Sequence, residues 1–425
     1  MQPEQRLFSQ LDFANNQWRR VPDQRLSSIA LVAGTAVGAG MLALPTITHP
    51  TGVVPSTVTL VLVWVYALVA ALLLAEINVF WMRQWGQPTI GLLKMVENTL
   101  GKSLAYVAGG AYLFLHYALL VAYMAQGGEI IASALAHHPG LNLPEGSGSA
   151  LFTLVFGGLL YWGTEGLVTK LNNTFVVIVI LTFMGLLGLS SAHVDPGQWL
   201  HQNWFATRST ISVMLVALFY HNIIPVVTTQ LEGDLSKIRQ SIVIGSLIPL
   251  LMFLTWNAVI LGSMGGGLAE VASGNGVFDP LEMLRNNTDW PGLGIVVSVF
   301  SEFAIATSFV GFTYGLLDFF KDVLQVRAIT PDNRLPFFSI ILLPALGLSI
   351  LNPHIFLTTL DYAGGFSISV LGGILPAIMA WKLRYRSAEQ TLQPTLVPGG
   401  RLTLMFMVVL GVAVMGLQIA TMITP

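Results

Sequence analysis

Long apolar segments, each of roughly 20 residues, recur along the whole chain and constrain what it can fold into. Of its 425 residues, 54% are hydrophobic and only 9% are charged, whereas a soluble domain carries about 25% charged residues. So few charges cannot cover a water-facing surface of this size. A helix of this length satisfies its own backbone hydrogen bonds while it crosses a bilayer. The sequence therefore predicts an all-α integral membrane protein.

We expect eleven transmembrane helices, divided into five, five and one. The predicted spans cover residues 28–50, 53–80, 103–136, 148–163, 171–191, 209–230, 238–264, 293–320, 336–351, 354–381 and 402–423. Residues 28–191 then form a first five-helix half, residues 209–381 form a second, and residues 402–423 form an eleventh helix. The polar segment 1–27 has no signal-peptide pattern and is expected to be a disordered cytoplasmic tail.

Positive charge is distributed unevenly between the predicted loops. With a cytoplasmic N-terminus, all but two of the 19 lysines and arginines fall in segments on the inner side, the exceptions being Arg208 and Arg285. Cytoplasmic loops retain lysine and arginine during insertion. This asymmetry predicts a multi-pass protein of the inner (plasma) membrane, with the N-terminus in the cytoplasm and the C-terminus outside.

The first and sixth spans contain glycine and proline residues that interrupt a helix. The first reads GTAVGAGMLALP over residues 34–45, and the sixth reads FYHNIIP over residues 219–225. These spans open the two halves, one from the inner side and one from the outer side, so the halves are expected to be inverted repeats. Broken helices at matching positions of two halves indicate the substrate site of a secondary transporter. Small-residue helix packing is the alternative for Gly34 and Gly38.

A broken helix offers backbone amides at one end and carbonyl groups at the other. A zwitterionic amino acid presents the complementary charges, which points to amino acid transport. Only one of Tyr117 and Tyr123 is expected to face such a pocket, given 100° per residue along a helix. The predicted substrate-binding residues are Gly38, Ala39, Gly40, Met41, Tyr123, Phe219, His221 and Asn222.

These segments resemble the hydroxy/aromatic amino acid permease family, which includes bacterial tyrosine- and tryptophan-specific permeases. Residues 34–45 are similar to its first-helix motif, and residues 219–225 to its sixth-helix motif. Residues 122–128 (AYMAQGG) and 304–309 (AIATSF) are similar to further parts of the pattern. The resemblance implies a leucine-transporter-type fold, with helices 1–5 and 6–10 as inverted repeats. It also implies proton-driven uptake of aromatic amino acids.

Ionisable side chains within the spans are candidates for coupling, because burying a charge in hydrocarbon costs at least about 2.5 kcal/mol. His221 titrates near neutral pH and could carry a proton. Glu302 is a second proton site or, alternatively, a carboxylate in a water-filled outer vestibule. The resemblance suggests that Thr307 and Ser308 help to bind a cation, the alternative being hydroxyl groups bonded to their own helix. Proton and sodium coupling both stay open.

Charged residues near the inner ends of the spans are interpreted as a solvated surface, with cytoplasmic gate pairs as the alternative. They are Glu76, Lys170, Glu232, Asp234, Lys237, Arg239 and Asp318. Asp361, near the outer start of the tenth span, could belong to an outer gate.

Other classes of function find less support in the sequence. The chain has no cysteine, so disulfides, cysteine–zinc sites and a cysteine nucleophile are excluded. It has no Walker A lysine motif and no H-E-x-x-H metal motif, and we expect no cofactor and no catalytic residues. A net charge of −2 gives no reason to expect nucleic acid binding. A transporter of other neutral amino acids is the main alternative, and a membrane-embedded enzyme, a channel or a sensor is more remote.

Overall fold

The computed structural model describes residues 6–14, 17–20, 23–38, 40–86, 90–136, 144–192, 194–263, 291–326, 331–385 and 395–423. Within these ranges the chain is a bundle of long apolar helices. Nine helices are long and apolar enough to cross a membrane, and a tenth span is made by two shorter helices bent at 49°. The prediction of a multi-helix membrane protein is confirmed.

The helices are labelled in chain order. The first half contains α1 (Arg25–Ala36), α2 (Gly40–Thr48), α3 (Val53–Trp85), α4 (Leu92–Leu100), α5 (Lys102–Ala136), α6 (Ser147–Trp162) and α7 (Glu165–Ser191). The rest contains α8 (Ile211–Ala217), α9 (Ile224–Gln230), α10 (Leu235–Ser263), α11 (Pro291–Leu324), α12 (Pro331–Leu351), α13 (Phe356–Tyr385) and α14 (Gly400–Ile423). Short 3₁₀ turns lie at Pro196–Leu200, Trp204–Ser209 and His221–Ile223.

Both spans that carry glycine and proline motifs are interrupted. The first consists of α1 and α2, which are separated by residues 37–39, and the sixth consists of α8 and α9, which are separated by residues 218–223. In the first span, α1 packs on α10 and contacts α9, whereas α2 packs on α8. The other long contacts join α11 to α5 and α7, and α3 to α10 and α13. The two interruptions therefore lie next to each other inside the bundle.

Two regions of the structure differ in length or shape from a uniform spanning helix. The fourth span, α6, is apolar but shorter than the usual spanning length, and residues Thr153–Gly157 within it form a π turn. The tenth span, α13, contains π turns at Ala363–Ile368 and Val370–Ile374. A π turn widens the helix and shifts its register, so side chains beyond it face a different neighbour.

The N-terminal segment is ordered where the structure describes it. Leu11–Ala14 and Gln17–Arg20 pair as an antiparallel β-hairpin. The segment before the hairpin binds the turn after α9, since the Leu7 N–H donates to the Glu232 carbonyl at 2.8 Å and Arg6 pairs with the Glu232 carboxylate at 3.3 Å. The prediction of a disordered tail is therefore wrong for these residues. Glu232 supplies both acceptors, so these contacts hold the N-terminal segment against the turn that follows α9.

Glu76 forms a buried ion pair within the bundle. Its carboxylate lies 2.5 Å from the Arg384 guanidinium, and 0% of the Glu76 side chain and 6% of the Arg384 side chain are exposed. The backbone N–H groups of Leu396 and Val397 also donate to Glu76. The interpretation of Glu76 as part of a solvated surface is therefore wrong. One carboxylate joins α3, the end of α13 and the segment before α14.

A second polar contact joins the ends of three helices. The Gln418 amide donates to the Asp361 carboxylate at 2.5 Å, and the Ser212 hydroxyl donates to the Gln418 side-chain oxygen at 2.9 Å. These residues belong to α14, α13 and α8. Asp361 thus lies where the proposed outer gate would be, but its described partners are neutral side chains.

Replacement of Arg384 by methionine is expected to destabilise the protein by about 3 kcal/mol, because it leaves the Glu76 carboxylate buried without its cation. Thermal unfolding of the purified protein in detergent measures the change. Lys321→Met is the control, since Lys321 makes a 3.3 Å pair with the exposed Asp318 and its loss is expected to have little effect. Equal melting temperatures for the two variants would contradict this role. Adding Glu76→Gln to Arg384→Met should recover part of the loss.

Candidate functional site

The interruption of the first span is formed by ordinary helix ends rather than by a kink. Helix α1 ends at Ala36, and Val37 takes an extended conformation at φ −78°, ψ 104°. The Val37 N–H still donates to the Ala33 carbonyl, and the Met41 N–H donates to the Gly38 carbonyl, both at 3.1 Å. The predicted site residue Ala39 lies outside the described residues. The ends of α1 and α2 thus bring helix-terminal carbonyl and amide groups into the middle of the bundle.

Gly38 lies against Ser308 of α11. A Cβ atom at Gly38 would collide with the Ser308 hydroxyl oxygen, whereas the Ser308 Cβ would be 3.6 Å away. Ser308 also hydrogen-bonds with the Tyr123 hydroxyl of α5. The third and eighth spans therefore meet the first span at its break, through one hydroxyl group.

Thr307 and Ser308 both donate their hydroxyl hydrogens to the Ala304 carbonyl of their own helix, at 2.9 and 3.1 Å. Both side chains are only partly buried, although α11 crosses the interior of the bundle. A hydroxyl that donates to its own helix keeps its lone pairs as acceptors. The two oxygens can therefore still coordinate a cation beside the break. Glu302, about a turn and a half earlier on α11, is also partly buried.

Gly40 and Met41 belong to the packing between α2 and α8. A Cβ at Gly40 would lie 2.8 Å from the Cα of Ala217, so the two half-helices touch through their backbones. Met41 is completely buried. Neither residue shows a side chain directed at a ligand, and Gly40 acts through the close approach that it permits.

The sixth span changes conformation over a few residues. Helix α8 ends at Ala217, the 3₁₀ turn His221–Ile223 follows, and Pro225 opens α9 in its first turn. Phe219 is buried, whereas Asn222 is exposed in the middle of this otherwise buried segment. Of the predicted residues in this break, Asn222 therefore presents its amide to open space.

The His221 ring faces α3 and α13 rather than the first span. Its Nε2 lies 3.1 Å from the Ala67 carbonyl of α3, and a Cβ at Gly372 of α13 would be 3.5 Å from the ring. The ring is stacked near Phe219 and Tyr220, with centroids 5.2 and 5.3 Å away. With Nε2 donating to a carbonyl, Nδ1 is an acceptor, and it has no hydrogen-bond partner among the described residues. His221 can take up a proton there, but the geometry does not support direct contact with substrate.

Tyr123 and Tyr117 point in different directions, as predicted. The Tyr117 hydroxyl donates to the Ile340 carbonyl of α12 at 2.6 Å. Tyr123 instead faces α11, with its ring 5.8 Å from the Phe312 ring in an edge-on arrangement. Tyr123 is therefore the tyrosine of this helix that reaches the break.

His116 and Tyr112 of α5 continue the ring contacts that begin at Phe312. His116 lies 4.9 Å from Phe312, and Tyr112 is stacked on His116 at 3.8 Å. The His116 Nδ1 lies 2.8 Å from the Tyr112 carbonyl, so this ring belongs to the helix packing. The sequence suggests Phe312 only as one of several aromatic residues that could stack on an aromatic substrate, and the structure places it beside Tyr123.

The glycine pair of the third span serves helix packing. A Cβ at Gly128 would collide with the backbone at Ser149 of α6, and a Cβ at Gly127 would collide with the Phe152 ring. This part of the family-like motif therefore brings α5 and α6 together. It contributes to the site only by holding the helix that carries Tyr123.

The sequence is similar to known transport proteins over most of its length. A family model described as the tryptophan/tyrosine permease family matches residues 23–418. The chain is 28% identical to tyrosine-specific transport system 1 of Haemophilus influenzae over 414 residues, which cover 94% of this chain and 97% of that protein. It is also 28% identical to the tryptophan-specific transport protein of Pseudomonas aeruginosa over 381 residues, 86% of this chain and 89% of that protein.

A further relative broadens the range of transported molecules. Glutamine transporter 2 of Aliivibrio fischeri is 24% identical over 403 residues, which cover 92% of this chain and 98% of that protein. The same overall sequence pattern thus occurs in proteins named for aromatic and for non-aromatic substrates.

Gly38→Ala is expected to reduce the initial rate of uptake by at least about tenfold, because its methyl group displaces the Ser308 hydroxyl from the break. Gly34→Ala is the control in the preceding helix of the same span, where a Cβ meets no atom within 4 Å, and it should retain uptake. Radiolabelled uptake into cells, normalised to transporter in the membrane fraction, measures both.

The double variant Gly38→Ala/Ser308→Ala distinguishes the steric effect of the new methyl group from a binding role of the Ser308 oxygen. Removing the hydroxyl relieves the collision, so the melting temperature should return towards that of the parent protein. Uptake should stay low if the Ser308 oxygen has a binding role. Equal uptake by Gly38→Ala and Gly34→Ala would show that this contact is not part of the site.

Proposed function

Since this chain belongs to the tryptophan/tyrosine permease family, we propose that it imports tyrosine, tryptophan or phenylalanine by cation symport. Membership confirms the resemblance seen in residues 34–45. Membership supports a role as a membrane transporter of amino acids rather than as an enzyme. The observation that carries the finer proposal is the meeting of Gly38, Ser308 and Tyr123 at the broken first span.

The proposed architecture is a leucine-transporter-type fold of eleven spans. Two inverted five-helix repeats cover residues 28–191 and 209–381, and α14 is the additional helix. The pairwise packing of α1 with α9 and of α2 with α8 supports this arrangement, because it sets the two broken spans side by side. The protein lies in the inner membrane, with its N-terminus in the cytoplasm and its C-terminus outside.

Substrate binds at the breaks in this proposal. The amide groups at the start of α2, from Ala39 and Gly40, receive the substrate carboxylate, and the carbonyl groups at the end of α1 receive its ammonium group. The Asn222 amide adds a polar contact from the sixth span. The aromatic ring of the substrate packs beside Tyr123, Phe312 and Phe219, because edge-on and offset ring contacts are favourable.

Two coupling ions, a proton and sodium, can be tested separately. His221 carries the proton on Nδ1, and Glu302 serves as a second protonation site on α11. In a sodium-coupled mechanism, Thr307 and Ser308 instead supply hydroxyl oxygens to the cation beside the break. We favour the proton, because the buried Nδ1 of His221 is an acceptor available for protonation within the described structure.

Transport of another neutral amino acid is the second candidate. It is favoured by the similarity to a protein named as a glutamine transporter. The backbone groups at the breaks bind the part of the substrate that all amino acids share, so the two candidates differ only in the side-chain pocket.

Proteoliposomes containing the purified protein are expected to accumulate labelled tyrosine, tryptophan or phenylalanine when a pH gradient, acidic outside, is imposed. A sodium gradient alone should produce no accumulation. An excess of unlabelled glutamine tests the second candidate, which predicts competition. Accumulation driven by sodium alone would move the coupling site to Thr307 and Ser308, and the absence of aromatic uptake under either gradient would contradict the proposed substrates.

His221→Gln is expected to abolish accumulation driven by a pH gradient while exchange of labelled for unlabelled substrate continues. The reason is that exchange needs the binding site but no net proton movement. His116→Gln is the control, as it removes a buried histidine from a neighbouring span without touching the break. Proton-driven accumulation by His221→Gln at the parental level would remove His221 from the mechanism.

A further inference from the structure

An apolar groove of about 510 Å³ lies between α5, α13 and α14. Its lining is apolar apart from Lys382. The wall includes Leu104 of α5, Ile378 and Trp381 of α13, and Leu404 and Met405 of α14. Such a groove accepts hydrocarbon chains, but its shape alone does not identify the occupant.

Two of the helices that line the groove, α13 and α14, each carry a cation next to its apolar wall. On α13, Ile378, Lys382 and Tyr385 follow one another at intervals of four and three residues, which places them on one face. On α14, Arg401 precedes Leu404 and Met405 by one turn. The Arg401 guanidinium lies 4.8 Å from the centre of the Tyr385 ring, so the two rows meet at the same end of the groove.

The cations at this end are available to a ligand. Lys382 and Arg401 are exposed, and neither forms an ion pair within the described residues. The acidic groups described nearby already have cationic partners, as Glu76 pairs with Arg384, and Glu97 of α4 pairs with Lys94 at 2.8 Å. Among the residues that the structure describes, the mouth of the groove thus carries positive charge without an acidic partner.

The mouth also lies at the membrane surface. Helix α4 is a short helix that contacts α5 and α13, with Met95 and Val96 buried and Lys94 exposed. Such a one-sided helix is typical of the interface between lipid and water. Trp381 and Tyr385, which are stacked edge to face, are the residue types enriched at that level.

We propose that this groove binds an anionic phospholipid of the cytoplasmic leaflet. The acyl chains lie along the apolar wall, and the headgroup phosphate lies between Lys382 and Arg401. Arginine and lysine are the usual ligands of phosphate oxygens, and basic pockets between membrane helices recognise anionic headgroups. The assignment to the cytoplasmic leaflet rests on the orientation given with the proposed function, whereas the groove and its charges do not.

A second copy of the chain fits this surface less well. Two copies related by a twofold axis would bring the same face of each together. Lys382 and Arg401 of one copy would then approach the same cations of the other, and like charges across an interface are unfavourable. A ligand that carries negative charge at one end and hydrocarbon at the other has no such conflict.

Native mass spectrometry of the purified, delipidated protein tests the proposal without any transport assay. Phosphatidylglycerol and phosphatidylcholine with identical acyl chains are titrated separately. Phosphatidylglycerol should bind at least about tenfold more tightly, and Lys382→Gln/Arg401→Gln should remove that preference. Lys170→Gln/Lys321→Gln is the control, because it removes the same charge from the inner ends of α7 and α11 and should leave binding unchanged.

A second variant separates the headgroup from the acyl chains. Met405→Trp fills the apolar wall beside exposed surface and should weaken both lipids about equally, with little change in melting temperature. Equal binding of both lipids to the parent protein would overturn the proposal. So would unchanged binding after loss of both cations, or dimer formation that is lost in the charge variant.

The leaflet is tested independently of lipid affinity. The chain has no cysteine, so Lys382→Cys introduces a single site for a membrane-impermeant maleimide. Labelling only after the cytoplasmic side is opened supports the cytoplasmic leaflet. Labelling from outside intact cells would reverse the orientation and the leaflet while the lipid site itself stood. A failure of aromatic uptake would leave both results unaffected.

Discussion

Inside a bilayer, every backbone N–H and C=O group needs a partner within the protein, and this requirement shapes the whole molecule. Continuous helices meet it by themselves, which explains why nearly all of the described chain is helical. Among the described residues, 37–38 and 218–223 are exceptions within long apolar segments. Helix ends there must be satisfied by neighbours or by a ligand, so the structural exception and the proposed binding site coincide.

Close contacts at glycine keep these exceptions stable. The backbone of α2 reaches Ala217 of α8 at Gly40, and Gly38 gives Ser308 its place at the break. Because dispersion forces act over short distances, a missing side chain lets helices gain contact that lipid cannot supply. Small-residue packing and a broken-helix site, which the sequence left as alternatives, are thus both present in the same motif.

Polar contacts determine which helices are tied together at the two ends of the bundle. Glu76 joins α3 to the end of α13, Glu232 holds the N-terminal segment to the end of α9, and Asp361 joins α13 to α14. Such residues are expensive in lipid and keep their position only when paired. They lie outside the breaks, so they hold the surrounding helices in place around the broken spans, where the proposed substrate contacts lie.

Composition and periodicity were enough to establish the membrane class, the positions of the long helices and the two interruptions, because a change of solvent and a helix-breaking residue both act locally along the chain. The direction of single side chains was not available in that way. The His221 ring faces Ala67 and Gly372, and Tyr123 rather than Tyr117 lies at the break, beside Phe312. Glu76 is buried with Arg384, which lies 308 residues further along the chain. These outcomes depend on which helices become neighbours. Contacts between distant segments are decided by packing and charge pairing in three dimensions, and only the tertiary structure supplies those.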